Sequence, residues 1–142
     1  MDVTRDFEWD AAHRVLRHES RCATLHGHRY RARVTCEADV LDDVSRVVDF
    51  GTIKEKVGAW IDERWDHTTL VNAADFSLLS LVEAEAEHGG RRAPYVFHGE
   101  PTAELIAAEL LGVAHRLLSD DRVRVREVQV WETPNCSAIV RR

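Results

Sequence analysis

Several features that mark other protein classes are scarce or missing in this 142-residue sequence. It has only three cysteines, an odd number without framework spacing, which argues against a disulfide scaffold and favours a reducing compartment. No apolar run approaches the roughly 20 residues that span a bilayer, and the acidic start MDVTRDFEWD lacks a signal-peptide core. We therefore expect a cytoplasmic protein with no membrane partner.

Positive charge is also in deficit. The formal net charge of −6 gives no general attraction for nucleic acid, so no nucleic-acid partner is expected. Arg29, Arg31 and Arg33 form a local basic row on one strand face; we interpret it as a solvated or interface face, although an anionic small substrate could use some of these arginines. The length, with 44% hydrophobic and 31% charged residues, fits a single globular domain over residues 1–142.

The most informative stretch is CATLHGHRY, which runs from Cys22 to Tyr30. In an extended strand, side chains two residues apart point the same way, so His26 and His28 lie on one face, roughly 7 Å apart. His13 ends a second alternating segment, FEWDAAHRV, which could lie antiparallel beside the first. Three neutral imidazoles suit zinc and leave a fourth position open, as in a catalytic site.

Cys22 decides what kind of zinc site this would be. If its thiolate binds the metal, the site is a closed structural one; if it stands off, Cys22 is a candidate acid or base beside an open zinc ion. The spacing does not choose between these two. A third interpretation needs no metal, because HGH could be a polar strand start and His13 a histidine satisfied within the core; no ligand-spacing rule covers this pattern.

The order of predicted elements gives an α+β fold. Strands are expected from about residue 3 to 12 and from His26 onward, then a helix capped by Asp49 or Thr52 that reaches Trp65. A helix-loop insertion at about 75–99 follows, with a helix over 76–87 and a loop around Pro94. Another helix begins at Pro101 and Thr102, and strands over 123–131 and 138–142 end the chain. We expect a four-stranded antiparallel sheet with helices on one face, whose open edges favour pairing across subunits into a barrel.

Two further features complete the pattern. Asp66 and His67 follow the first helix directly, where the carboxylate could orient and charge the imidazole. The chain then carries, in order, AAHR, a cysteine followed three residues later by LHGH, VVDFGTIK, DH, PTAE and WET. This ordered set resembles the family of 6-pyruvoyltetrahydropterin and 6-carboxytetrahydropterin synthases, small enzymes with the tunnelling fold.

The resemblance implies roles for these residues. It implies that His13, His26 and His28 bind zinc and that Cys22 is the proton-transfer group. It also implies that Asp66 and His67 assist from a neighbouring subunit, in a hexamer made of two stacked trimers.

Two residues are implied to bind the pterin substrate. Glu132 in WET matches the family's pterin anchor, although a glutamate at a strand end is usually a solvated charge. Thr102 in PTAE is a weaker candidate, for which a helix start is an alternative role. The chain departs from the family at Leu105, where asparagine is frequent, at Trp65, where leucine is usual, and in the length of the 75–99 segment.

The leading function hypothesis is therefore a lyase. It is a zinc-dependent 6-carboxytetrahydropterin synthase that converts 7,8-dihydroneopterin triphosphate to 6-carboxytetrahydropterin, acetaldehyde and triphosphate, in 7-deazaguanine (queuosine-type) biosynthesis. The first alternative is the 6-pyruvoyl product from the same substrate. The others are a non-catalytic pterin- or purine-binding protein with a structural zinc ion, and a homo-oligomeric scaffold that binds no metal.

Overall fold

The computed structural model describes residues 1–89 and 92–142; Gly90 and Arg91, inside the predicted insertion, lie outside the described residues. The strands are β1 (Asp2–His13), β2 (His26–Glu37), β3 (Thr68–Asn72), β4 (Tyr95–Phe97), β5 (Arg124–Thr133) and β6 (Cys136–Arg141). The helices are α1 (Phe50–Ile53), which continues through a π-helical stretch (Lys54–Gly58) into α2 (Ala59–Arg64), then α3 (Phe76–Ala86) and α4 (Ala103–Leu118), with a 3₁₀ turn at Arg21–Ala23.

One mixed sheet contains the strands in the order β4-β3-β1-β2-β5-β6. The pairs β1–β2, β2–β5 and β5–β6 are antiparallel and form the predicted four-stranded sheet. The pairs β1–β3 and β3–β4 are parallel, so the prediction of an antiparallel sheet with only four strands is wrong.

The two missed strands have little sequence signal. β3 is five residues long, and four of them are buried without a clear alternation; β4 has three residues, and it was predicted as loop. Pro94 directly precedes β4, and proline is disfavoured in a central strand because it has no amide hydrogen to donate. β4 lies at the edge of the sheet, where this loss interrupts no central ladder.

The two faces of the sheet differ sharply in character. On β2, Tyr30, Ala32, Val34 and Cys36 are fully buried against the helices. The opposite face carries the arginine row, which is neutralised by carboxylates of β1: Arg29 bonds Glu8 and Asp10, whereas Arg31 and Arg33 both bond Asp6. The row is thus a solvated face whose charges are paired across the β1–β2 ladder.

The helices cover the apolar face with side chains at helical spacing. Ile53, Val57 and Ile61 are buried along α1 and α2, and Asp49 caps this segment by accepting a hydrogen bond from the amide of Gly51 at 2.7 Å. In α4 the buried side chains include Ile106, Leu110 and Val113. Under these helices, Trp9 stacks on Tyr30 with ring centroids 5.3 Å apart, and Trp65 packs on the same indole. This aromatic cluster supports the strand ends where the histidines lie.

Two observations bear on other sequence predictions. The thiols of Cys22, Cys36 and Cys136 are all free, the first half-buried, the second buried and the third exposed. In the described parts of the chain, no helix combines the length and the apolar character needed to cross a membrane.

Candidate active site

Strand register brings the three histidines together. His13, the last residue of β1, pairs directly with His26, the first residue of β2, and Ala11 pairs with His28. Because side chains alternate along a strand, all three rings fall on the helix-covered face. One ligand nitrogen from each ring lies within 4.8 Å of the other two. The geometry therefore forms a three-imidazole group suited to a metal ion.

Backbone carbonyls fix which nitrogen of two rings carries the proton. Nδ1 of His13 lies 2.7 Å from the carbonyl oxygen of Pro101, and Nδ1 of His26 lies 2.6 Å from that of Thr24. A carbonyl oxygen only accepts hydrogen bonds, so each Nδ1 donates and each Nε2 keeps its lone pair. Nε2 of His13 is buried and has no hydrogen-bond partner. Carbonyl-oriented rings with a free second nitrogen are typical of histidine metal ligands.

Burial keeps two of the three histidines in the form that binds metal. Burial and, to a smaller extent, the neighbouring imidazoles of His26 and His28 lower the pKa of His13 to about 4, against the opposing effect of the Pro101 carbonyl. The pKa of His28 is also lowered, first by burial and then by His26. Near neutral pH, His13 and His28 are thus held as neutral imidazoles with lone pairs available.

The buried His13 predicts a pH dependence for the metal-free protein. Because its folded-state pKa of about 4 lies below the ordinary 6.5, the unfolded chain binds more protons between these values. The stabilising contribution is present above pH 6.5 and is lost as the pH falls toward 4, by up to about 3 kcal/mol in the free energy of unfolding. Urea unfolding of the metal-stripped protein at several pH values measures this loss, and a His13→Gln variant should lack it. Parallel pH profiles for both proteins would contradict the assignment.

Cys22 lies in the loop between His13 and His26 and does not belong to the group. It sits in the 3₁₀ turn, half-buried, and its carbonyl accepts a hydrogen bond of 2.8 Å from the amide of Val15, two residues after His13. Among the described residues, the metal-capable group around His13 consists of the three histidines alone. In this conformation the thiol is therefore not arranged as a fourth ligand.

Asp66 and His67 form a hydrogen-bonded pair clamped to β1. Nδ1 of His67 lies 2.7 Å from Oδ2 of Asp66, whose Oδ1 accepts the amide of Asp10 at 3.0 Å. The amide of His67 in turn donates to the Asp10 carbonyl at 2.7 Å, and His67 takes the left-handed backbone conformation with φ of 56°. Burial raises the pKa of Asp66, but the Asp10 amide and His67 outweigh it, so the net pKa is lowered. An ionised carboxylate thus orients an imidazole that is 72% exposed.

Two surface clefts meet at His28. One, of about 560 Å³, is lined by His28 and His67 together with the ends of β1 and β3. The other, also about 560 Å³, is lined by His28, Trp131 and Glu132. His67 and the candidate pterin anchor Glu132 therefore line different clefts that share His28.

Glu132 lies beside the metal-capable group without belonging to it. Its Oε1 is 3.9 Å from Nε2 of His13, and the side chain is 25% exposed. Burial raises the pKa of the Glu132 carboxyl and Glu104 adds to this, whereas His26 and the amide of Ala103 act in the opposite direction. A half-buried carboxylate at the mouth of a cleft can accept two hydrogen bonds from a planar donor edge.

The PTAE segment positions both sides of the site. Its Pro101 carbonyl contacts Nδ1 of His13, and its Ala103 amide lowers the pKa of the Glu132 carboxyl. Thr102 is the N-cap of α4, and its hydroxyl accepts from the amide of Leu105 at 3.5 Å. In this structure Thr102 therefore has its alternative role, that of a helix start.

Three contributors to the site were not identified from the sequence. The carbonyls of Pro101 and Thr24 and the backbone of Asp10 act through main-chain atoms, which every residue possesses. A side-chain pattern carries no signal for them. The occurrence of PTAE in the ordered motif set was the one available indication for Pro101.

Comparisons with known proteins agree over nearly the whole chain. The family model described as 6-pyruvoyl tetrahydropterin synthase matches residues 2–142. A relative from Rickettsia bellii named 6-carboxy-5,6,7,8-tetrahydropterin synthase is 37% identical over 134 residues, covering 94% of both chains. A Halobacterium salinarum protein, named as a probable synthase of the same kind, is 33% identical and covers 94% of this chain and 82% of its own.

Solved structures show the same fold. An uncharacterized protein from Wolinella succinogenes superposes with a TM-score of 0.84 at 24% identity, covering 99% of this chain and 97% of its own. The 6-pyruvoyl tetrahydropterin synthase of Plasmodium falciparum gives a TM-score of 0.74 at 20% identity, covering 100% and 97%. The expected tunnelling fold is confirmed in this respect.

Proposed function

The chain belongs to the 6-pyruvoyl tetrahydropterin synthase family, and on that premise we propose that it is a zinc-dependent 6-carboxytetrahydropterin synthase. Its substrate would be 7,8-dihydroneopterin triphosphate, and its products 6-carboxytetrahydropterin, acetaldehyde and triphosphate, for 7-deazaguanine synthesis. The observation that carries the proposal is the three-histidine group with a free, buried Nε2 on His13 and with Cys22 outside it. The names of relatives at 33–37% identity favour the 6-carboxy product.

His13, His26 and His28 are the proposed zinc ligands. Their donor set, three neutral imidazoles of which two have their second nitrogen bonded to a carbonyl, fits zinc. When bound, the ion would supply Lewis acidity toward the side-chain oxygens of the substrate.

The proposed protein chemistry is proton transfer. Cys22 would exchange a proton with the substrate side chain, since a thiol near a cation and an imidazole ionises more readily. His67 would relay that proton, and Asp66 would hold its Nδ1–H and stabilise the imidazolium form, as the 2.7 Å contact permits. Because His67 is exposed in the single chain, the pair is available to a site shared with a neighbouring subunit.

Glu132 is the proposed pterin anchor. Its two oxygens would accept hydrogen bonds from the amino group and the ring nitrogen of the pterin, and Trp131 lines the same cleft. Thr102, at the adjoining helix start, would contribute a lesser contact. We propose that residues 1–142 act as one domain, with 75–99 as an insertion, and assemble through their sheet edges into a barrel within a hexamer.

Product analysis tests this function directly. The zinc-loaded protein is incubated with 7,8-dihydroneopterin triphosphate and the products are followed by mass spectrometry, beside a chelator-treated sample. We expect 6-carboxytetrahydropterin and acetaldehyde in equal amounts, and neither after chelation. A 6-pyruvoyl product would replace the proposed reaction with the alternative one. Intact substrate in the presence of bound zinc would favour a binding protein.

A further inference from the structure

The loop that carries Cys22, residues 14–25, is fastened at its first residue by an ion pair. Arg14 donates from Nε to Oδ2 of Asp75 and from Nη2 to Oδ1, both at 2.6 Å, and Nη2 also contacts the Ser77 hydroxyl at 2.7 Å. This two-point geometry is the strongest form of an arginine–carboxylate contact. Arg14 directly follows His13, so the ion pair acts at the point where β1 ends and the loop begins.

Asp75 is a fixed partner. It is 2% exposed, and besides Arg14 it caps α3 by accepting from the amide of Leu78 at 3.2 Å. The Arg14 guanidinium holds the pKa of Asp75 below its ordinary value, against the effect of burial. Loss of the arginine would leave a buried carboxylate without a balancing charge, which would strongly lower the free energy of unfolding. The position of Arg14 is thus set by the start of α3.

Two further bonds transmit this position along the loop. The amide of Val15 donates to the Cys22 carbonyl at 2.8 Å, and the amide of Leu16 donates to Oε2 of Glu100 at 2.9 Å. The residue after Arg14 is therefore bonded to Cys22 itself. Displacement of Arg14 would be passed to Cys22 through one residue and one hydrogen bond.

We propose that the Arg14–Asp75 ion pair is a positioning device that holds Cys22 at the histidine group. The 75–99 segment thereby acts on the site through its first residue, although none of the proposed catalytic or ligand residues belongs to it. This positioning role rests on the proposed function in one respect, which is that Cys22 transfers a proton. The tie between Asp75 and the loop can be measured without turnover.

The three free thiols provide that measurement, because their exposures differ. Zinc-loaded protein is treated with iodoacetamide and the alkylation rate of each cysteine is followed by peptide mass spectrometry. In Asp75→Asn we expect Cys22 to react about fivefold faster, as local release of the loop exposes a half-buried thiol. The exposed Cys136 should keep its rate, and the buried Cys36 should stay unreactive. A general loss of structure would instead expose Cys36.

A second variant and a matched control sharpen the result. Arg14→Lys keeps the charge but loses the two-point geometry, so a smaller rise at Cys22 is expected. Arg46→Lys makes the same substitution in a more exposed arginine–carboxylate contact, with Asp42 and Asp49, and should leave the alkylation rate of Cys22 unchanged. If Cys36 becomes reactive in Asp75→Asn, that variant has lost its structure, and the Cys22 alkylation rate in Arg14→Lys then tests the proposal. A Cys22 rate that is unchanged or lowered in the folded variants would overturn the proposal.

Kinetics separate this proposal from the proposed function. In Asp75→Asn, kcat per bound zinc should fall about tenfold with KM within about twofold, because the Glu132 cleft is untouched. A wild-type protein without turnover would contradict the proposed function, while the Cys22 alkylation rates would still test the loop tie. A faster Cys22 reaction with unchanged kcat would overturn the positioning role.

Discussion

Cys22→Ala is expected to lower turnover by about a thousandfold while zinc stays bound, since loss of a general acid or base removes this order of rate acceleration. The thiol lies outside the metal-capable group, so its removal takes away no ligand nitrogen. Its half-buried place in a surface turn also makes the substitution mild for folding. Elemental analysis after dialysis measures the zinc content per chain. Mass spectrometry of the products measures turnover.

Cys136→Ala is the matched control for this substitution. It removes a thiol from the exposed start of β6, and both zinc content and turnover should equal those of the unchanged protein. The opposite result for Cys22→Ala, in which zinc is lost in parallel with activity, would identify a closed three-histidine, one-cysteine site. The experiment thus separates the two roles that sequence spacing left open for Cys22.

The histidine group was predictable because it depends on two local rules. Alternation placed His26 and His28 on one face, and the antiparallel pairing of the first two strands placed His13 opposite His26. The long helices were predictable for a similar reason, since their apolar stripes and caps lie within a few residues of one another. In each case the residues that form the pattern lie close to one another in the sequence as well as in the structure.

The parts that were not predictable depend on distant partners. β3 and β4 are short and gain their bonds from parallel pairing, with 20 or more residues between paired positions. The Arg14–Asp75 contact spans 61 positions, and the Pro101 carbonyl reaches His13 across 88. Neither a short parallel strand nor a main-chain acceptor produces a periodic pattern in the sequence. The sequence therefore indicated the three histidines and left out the groups that orient them.

His28→Ala is expected to raise the zinc dissociation constant roughly a thousandfold and to abolish turnover at equimolar zinc, because two imidazoles cannot replace a three-ligand set. His28 suits this test better than His13, which is 1% exposed and bonded to Pro101, so that truncating it would also leave a buried carbonyl without its donor. His28 is only half-buried, and its principal neighbours are the rings of His13, His26 and Tyr30. Competition with a chromophoric chelator measures the affinity.

His98→Ala serves as the control, because His98 is exposed and belongs to none of the metal-capable groups. Its zinc affinity should match that of the unchanged protein. Excess zinc should restore part of the metal content of His28→Ala but little turnover, since the remaining ligands would hold the ion without the ring that lines both clefts. Unchanged zinc affinity in His28→Ala would remove His28 from the ligand set, whereas absence of zinc binding by the unchanged protein would favour a scaffold whose histidines bind no metal.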